Sequence, residues 1–446
     1  MSGTVVAVPP RVARALDLLN FSLADVRDGL GPYLSIYLLL IHDWDQASIG
    51  FVMAVGGIAA IVAQTPIGAL VDRTTAKRAL VVAGAVLVTA AAVAMPLFAG
   101  LYSISVLQAV TGIASSVFAP ALAAITLGAV GPQFFARRIG RNEAFNHAGN
   151  ASAAGATGAL AYFFGPVVVF WVLAGMALIS VLATLRIPPD AVDHDLARGM
   201  DHAPGEPHPQ PSRFTVLAHN RELVIFGAAV VAFHFANAAM LPLVGELLAL
   251  HNRDEGTALM SSCIVAAQVV MVPVAYVVGT RADAWGRKPI FLVGFAVLTA
   301  RGFLYTLSDN SYWLVGVQLL DGIGAGIFGA LFPLVVQDVT HGTGHFNISL
   351  GAVTTSSRAM TRHSCRWVRS PGPASSCTWS RCRKPWIRMS GCGRGQPSGG
   401  SDQYHSSVSS LPPALADFAF WSVTGRIYGI GDRLTPEMKC HNRYRQ

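Results

Sequence analysis

Ten stretches of this chain are long and apolar enough to dictate how its backbone must be satisfied: 16–41, 47–71, 79–99, 101–130, 143–165, 166–185, 223–250, 257–279, 289–307 and 312–336. A helix needs about 20 residues to cross the hydrocarbon layer. With no water there to accept backbone hydrogen bonds, only helices or closed barrels can span it. Stretches of this length, rich in Gly and Ala, suit helices that pack closely in lipid. Hydrophobic residues fill 52% of 446 positions and charged ones 13%, with a mean hydropathy of +0.48. A water-soluble domain, which must cover itself with polar side chains, is excluded on that balance. The expected fold class is an all-α membrane protein. Arg11 and Arg14 lead straight into a full-length span, so no cleavable signal peptide is expected.

The spans fall into two halves that carry the same mark. GALVDRTTAKR runs from Gly68 to Arg78, and GTRADAWGRK from Gly279 to Lys288, each placed between two apolar stretches and read as a short basic loop. Asp72 and Asp283 are 211 residues apart; Gln108 and Gly112 return as Gln318 and Gly322, and Pro32 as Pro242. Two membrane-embedded halves with matching loops form a transporter architecture. The predicted division is an N-terminal six-helix half over 1–185, a polar linker over 186–221, and a C-terminal half over 222–357 holding helices 7 to part of 11. The linker is rich in Pro, His and Asp and lacks a helical apolar period, so a solvated chain is expected there. Its His194, His202 and His208 fit no metal-ligand spacing. With the N-terminus inside, the inner loops hold Arg73, Lys77, Arg78, Arg137, Arg138, Arg141, Arg281, Arg287 and Lys288, against Arg253 outside. That asymmetry places the N-terminus in the cytoplasm and the chain in a plasma or bacterial-type inner membrane.

The symmetry demands spans 11 and 12. An eleventh begins at His345, where HFNISLGAVTTSS echoes the segment starting at Ala144. After about Ser357 the chain has no 20-residue apolar run and no period of either kind. It holds Trp367, Trp379, Trp386 and Trp421, and five of the six cysteines. Disordered tails are poor in Trp and Cys, and Arg, Ser, Cys, Trp, Pro and Gly in irregular order are what a GC-rich gene yields out of frame. The tail therefore reads as frameshifted, with a genuine disordered tail as the alternative. From Arg362 onward there are 13 Lys and Arg against 4 Asp and Glu, while the rest of the chain is close to neutral. The formal charge of +8 thus belongs to the tail and not to a nucleic-acid-binding surface.

The two loops resemble the signature between helices 2 and 3 of the major facilitator superfamily. The first copy keeps Gly68, Leu70, Asp72, Arg73, Lys77 and Arg78, with Thr75 where Gly is usual; the second keeps Gly279, Asp283, Gly286, Arg287 and Lys288. The resemblance runs from about Leu16 to Ser357. It implies two six-helix bundles, the second incomplete here, moving a small solute by alternating access. It also implies that Asp72 meets the start of helix 11 when the cytoplasmic side is closed. A carboxylate there can accept hydrogen bonds from a helix N-terminus of the other half and so bias one state; the plainer reading, a charge that fixes topology, suits Lys77 and Arg78. Two family patterns are altered: Gln108 stands where an Arg is usual four residues before Gly112, and helix 5 has GNASAAGATG without the Pro of drug antiporters.

Polar residues inside the spans are the candidates for substrate and proton. Asp25, Arg27 and Asp28 lie roughly 14–18 Å along helix 1, where charges are expensive and face a cavity or each other. Asp25 and Asp28 share a face. Arg27 points elsewhere, and the two carboxylates form a proton or cation site, or else belong to a structural ion pair in the cytoplasmic vestibule. Tyr33 and Tyr37 on the same helix contact substrate or serve packing. Asn146, His147, His234, Asn237, Gln108 and Gln318 line the cavity or bridge helices. Asp321 and Arg301 are intramembrane charges whose partners the sequence does not name. Gly324, Gly326 and Gly329 spell a dinucleotide fingerprint, but within an apolar span and without a preceding strand, so close helix packing explains them better. No catalytic constellation, P-loop, metal spacing or cofactor motif is present in the sequence. The expectation is a monomeric, non-enzymatic transporter whose partners are lipid, a small solute and protons.

Overall fold

The structure is a computed structural model that describes residues 9–28, 30–98, 100–165, 167–200, 220–238, 240–241, 243–244, 248 and 256–356. The tail expected from 358 to 446, the linker residues 201–219 and Arg253 lie outside the described residues. In chain order the helices are α1 (Pro10–Asp28), α2 (Gly31–His42), α3 (Gln46–Arg73), α4 (Lys77–Ala94), α5 (Leu101–Ser115), α6 (Phe118–Phe164) and α7 (Val168–Leu185). They continue as α8 (Arg221–Ala238), α9 (Gly256–Trp285), α10 (Arg287–Leu304), α11 (Ser311–Thr340) and α12 (346–356). No strand occurs among the described residues. Six stretches are long and apolar enough to cross a membrane, and one of them, Leu101–Ala161, is 61 residues long.

Three expected boundaries move. The span 16–41 is two helices, α1 ending at Asp28 and α2 beginning at Gly31, where Pro32 in the first turn of α2 has no N–H to continue the ladder. The expected loop 131–142 is helical except for Gly131 itself (φ 71°, ψ 167°), which Pro132 follows. Helix 5 therefore starts about ten residues early, and Arg138 and Arg141 sit on it. Both clasp Asp17 of α1, at 2.7 and 2.8 Å, and Arg138 also donates to Asn142 at 2.7 Å. Lastly, neither motif copy is chiefly loop: α3 runs through Asp72 to Arg73, and α9 runs through Asp283 to Trp285.

The packing shows why the chain folds this way. Several hydroxyls inside the spans bond a carbonyl one turn back, as Ser22 does to Leu18 and Thr89 to Ala85 at 2.8 Å each, which satisfies the donor without water. One core cluster belongs to α1, α4, α6 and α7, including Leu19, Val81, Phe118 and Ala183. Another joins the halves: Leu127, Phe135 and Ile139 pack with Ala275, Val278, Leu331 and Phe346, and the rings of Phe135 and Phe346 meet edge to face at 5.9 Å.

The first part of the linker is partly buried rather than a fully solvated chain. Ile187, Val192, Ala197 and Met200 are buried, because their apolar side chains, spaced among the prolines and acids, have a core face to cover. Short 3-10 turns at Pro189–Ala191 and Leu196–Arg198 carry them. This strap bonds both halves: Asp193 N–H donates to the Gly128 carbonyl at 3.0 Å, and Gly342 N–H to the Gly199 carbonyl at 2.7 Å. Asp195 and Arg198 pair within it. Burial and the nearby Lys77 hold His194 below the usual histidine range.

Candidate functional site

At the end of α3, Asp72 is 7% exposed. Its Oδ1 accepts from Asn347 N–H at 3.1 Å and from Asn347 Nδ2 at 2.8 Å; its Oδ2 accepts from Ile348 N–H at 2.8 Å. The first N–H groups of a helix have no partner within it. Here the carboxylate of another helix, 275 residues away, fills that role for α12. It is an N-cap supplied in trans, charge-assisted and favoured by the helix dipole. Gly68, one turn back, makes the approach possible: a Cβ there would stand 2.4 Å from the Asn347 carbonyl oxygen and 2.8 Å from Ile348 Cα. Two more contacts continue the seam. A Cβ on Gly351 would lie 2.6 Å from the Gln64 carbonyl, and Thr65 and Thr355 share a hydroxyl bond of 3.0 Å. Asn347 also donates to the Ala197 carbonyl at 2.9 Å, which ties the strap to the same corner.

The cations of this copy do local work. Lys77, 1% exposed, donates to the Thr74 carbonyl at 2.7 Å and so closes the turn between α3 and α4. Arg78 reaches the Thr184 and Leu185 carbonyls at 3.3 and 3.1 Å, capping the C-terminal end of α7. Arg73 ends α3 at an exposed position.

The second copy is built differently. Asp283 pairs with Arg287 at 2.7 Å, and Arg287 with Asp338 of α11 at 3.0 Å. All three belong to the C-terminal half, and the Asp283 side chain is 63% exposed. Gly286, at φ 81°, turns the chain from α9 into α10; an L side chain is strained there. Lys288 is exposed. Gly279 meets the other half: a Cβ on it would lie 2.5 Å from Gly140 Cα, and one on Gly140 2.4 Å from Gly279 Cα. Both motif glycines thus sit where a helix of one half touches the other.

Among the polar residues within the spans, α8, α10 and α11 bring together a group. Arg301, 2% exposed, pairs with Asp321 and donates to Asn237 at 2.5 Å. Gln318 donates to Asp321 at 3.0 Å and accepts from Tyr305. The charges that had no nameable partner are therefore each other's, and Tyr305 is a member that sequence reasoning missed. The signal was present as Arg301 and Tyr305 four apart on one helix face. His147 bridges the halves, its Nδ1 2.8 Å from Gln268 Oε1, while its buried Nε2 has no partner. Asn146 bonds Glu143 at 3.4 Å.

Other candidates stand elsewhere. Tyr37 is packed in this arrangement: it is 2% exposed, lies edge-on to Phe170 at 5.0 Å, and shares a bond of 3.1 Å with His42. Gln108 holds Met53 at 3.5 Å and backs against Gly56, bridging α3 and α5. His234 bonds the Val230 carbonyl of its own helix at 2.9 Å. Asp25 and Arg27 are half-buried near the end of α1. Asp28 ends α1 and Tyr33 opens α2; their side chains lie outside the described residues. Gly322 and Gly326 of the false dinucleotide fingerprint region press α11 on α9, where Cβ atoms would meet Ala267 O at 2.5 Å and Val274 Cβ at 3.1 Å.

An all-helical, multi-pass membrane protein with two halves joined by a shared core and duplicated seam contacts is a secondary transporter in class. The profile described as Major Facilitator Superfamily matches residues 16–361, and the chain belongs to that family. Among the described residues its second bundle is incomplete, and the match ends four residues beyond Ser357. The family's members are transporters rather than enzymes, and their setting implies a lipid bilayer and a small-molecule substrate.

Proposed function

We propose that this chain moves a small solute by alternating access, driven by protons, and that Asp72 is the latch of its cytoplasmic gate. The observation that carries the reading is the trans cap: three hydrogen bonds from α12 to one carboxylate of the other half. Such a contact exists only while the motif-bearing ends touch, so it stabilises one state of a two-state protein and not the other. The charge asymmetry of the loops puts that end, and the N-terminus, in the cytoplasm of a plasma or inner membrane. The arrangement described is accordingly the cytoplasm-closed one, in a monomer. The test is substrate-independent: maleimide labelling of Ser349→Cys, a position fully buried on α12, should be slow in the parent and fast in Asp72→Asn.

For coupling, the candidates are Asp25 and Asp28 on α1, with Asp28 favoured as the deeper of the two, and the Arg301–Asp321 pair of the C-terminal half. A carboxylate in a low-dielectric site that loads a proton on one side and releases it on the other would link transport to the gradient. In proteoliposomes, Asp28→Asn should abolish gradient-driven movement while sparing exchange; uphill movement with unchanged pH dependence would make Asp28 structural.

A second reading follows from the text beyond residue 357, which has no span and outlasts the family match by 85 residues. On it, this chain is a non-transporting product of a disrupted transporter gene. Translating the coding DNA in the other frames separates the two: two apolar spans in a shifted frame would support the disruption, and polar text in every frame would defeat it.

A further inference from the structure

Between α9, α10 and α11 lies an open groove of about 390 Å³, walled by Val274, Val277, Val278, Val293 and Ile327, with Trp285 at the end of α9. Its wall is almost wholly apolar. Val277, Val293 and Trp285 are 44%, 51% and 54% exposed, so the groove opens outward from the bundle, and in a membrane protein that direction is lipid. The α9 wall residues recur at helical spacing, and position 281 continues their stripe, four residues after Val277 and four before Trp285. That position is Arg281, and it is exposed. Across the Gly286 turn stands Lys288, also exposed, in the first turn of α10, whose N-terminus has no side-chain cap. Among the described residues neither Arg281 nor Lys288 has an ion-pair partner, whereas Arg287 between them is held by Asp283 and Asp338.

We propose that this corner binds a phospholipid with a net-negative head group, its acyl chain in the groove and its phosphate on Arg281 and Lys288. Each part supplies what the other lacks. The groove alone would take any acyl chain, since hydrocarbon is its ordinary solvent. Two unpaired cations at its end, beside the free N–H groups of α10, select a head group whose charge is not cancelled by a choline or an amine. Trp285, half exposed at the end of α9 beside these cations, is the residue type that favours the membrane–water boundary. This site is separate from the transport pathway and stands whether or not protons drive the protein. The Gly279 contact with Gly140 is two residues from Arg281, so the bound lipid braces the helix end that touches the other half.

The test uses the whole chain in detergent, titrated with phosphatidylglycerol or phosphatidylcholine and read by native mass spectrometry as lipids retained. The parent should prefer phosphatidylglycerol by roughly 30-fold, as two surface cations give. Arg281→Gln with Lys288→Gln should bring that preference close to one while still retaining both lipids. Val277→Trp, which fills the groove, should lower retention of both. Because the two charged positions are exposed, folding should survive, and thermal melting of the variants checks it. If the groove variant does not fold, brominated phosphatidylglycerol added to the parent still decides, since it must quench Trp285 more than brominated phosphatidylcholine does. Equal retention of the two lipids by the parent, an unchanged preference in the double variant, or protection by soluble glycerol phosphate alone would overturn the proposal.

Discussion

The two motif copies share their spacing and differ in what their carboxylates hold. Asp72 is buried and reaches the opposite half, where it caps α12. Asp283 is 63% exposed and stays within its own half, stapled through Arg287 to Asp338. Their glycines did not diverge. Gly68 admits Asn347 and Ile348, and Gly279 admits Gly140, so each copy keeps a point of backbone contact between halves. The lesson is that the duplicated element is the close approach, and that the latch was built on one copy only. A charge that stays exposed is screened by solvent and contributes little, whereas a buried carboxylate held by three donors makes bonds that water only partly offsets when the contact opens.

The largest effect expected is from adding volume at the shared element. Gly68→Val or Gly279→Val would place side-chain atoms within about 2.5 Å of the other half's backbone, and overpacking of that kind costs about 3 kcal/mol. Labelling of Ser349→Cys should accelerate by roughly 100-fold in both. If only Gly68→Val responds, the seam is not symmetric. Asp72→Asn comes next. The amide can still accept one bond, but its NH2 faces a donor, so about 2 kcal/mol and roughly a 30-fold faster labelling are expected. Asp283→Asn should change the rate by less than about fivefold, since only an exposed pair is lost. An equal response from Asp72→Asn and Asp283→Asn would erase the distinction between the copies.

Much of this was legible from spacing. Apolar runs gave the helices because lipid leaves the backbone no alternative, and the resemblance of the first motif copy to the superfamily signature pointed Asp72 to the start of α12, whereas the Gly279 contact with Gly140 was not foreseen. The echo at His345 marked the start of α12. What stayed hidden depended on distance in space. The strap 187–200 reads as polar because prolines and acids dominate it, while four well-placed apolar residues decide its burial. The Arg301–Asp321 pair spans two helices, and no local pattern joins residues 20 apart. Tyr37 has the look of a cavity residue on a helical wheel, yet Phe170 and His42 enclose it. The break after Asp28 is written in Pro32, but the apolar run on both sides masks it.

The most direct measurement is the distance between the ends of the two halves, read by electron–electron resonance from labels at Thr75→Cys and His341→Cys, with the native cysteines replaced. The account predicts one short, narrow distribution for the parent and for Asp283→Asn, and a second, longer population in Asp72→Asn. Identical distributions in all three would contradict it, and so would a longer population in Asp283→Asn as large as that in Asp72→Asn.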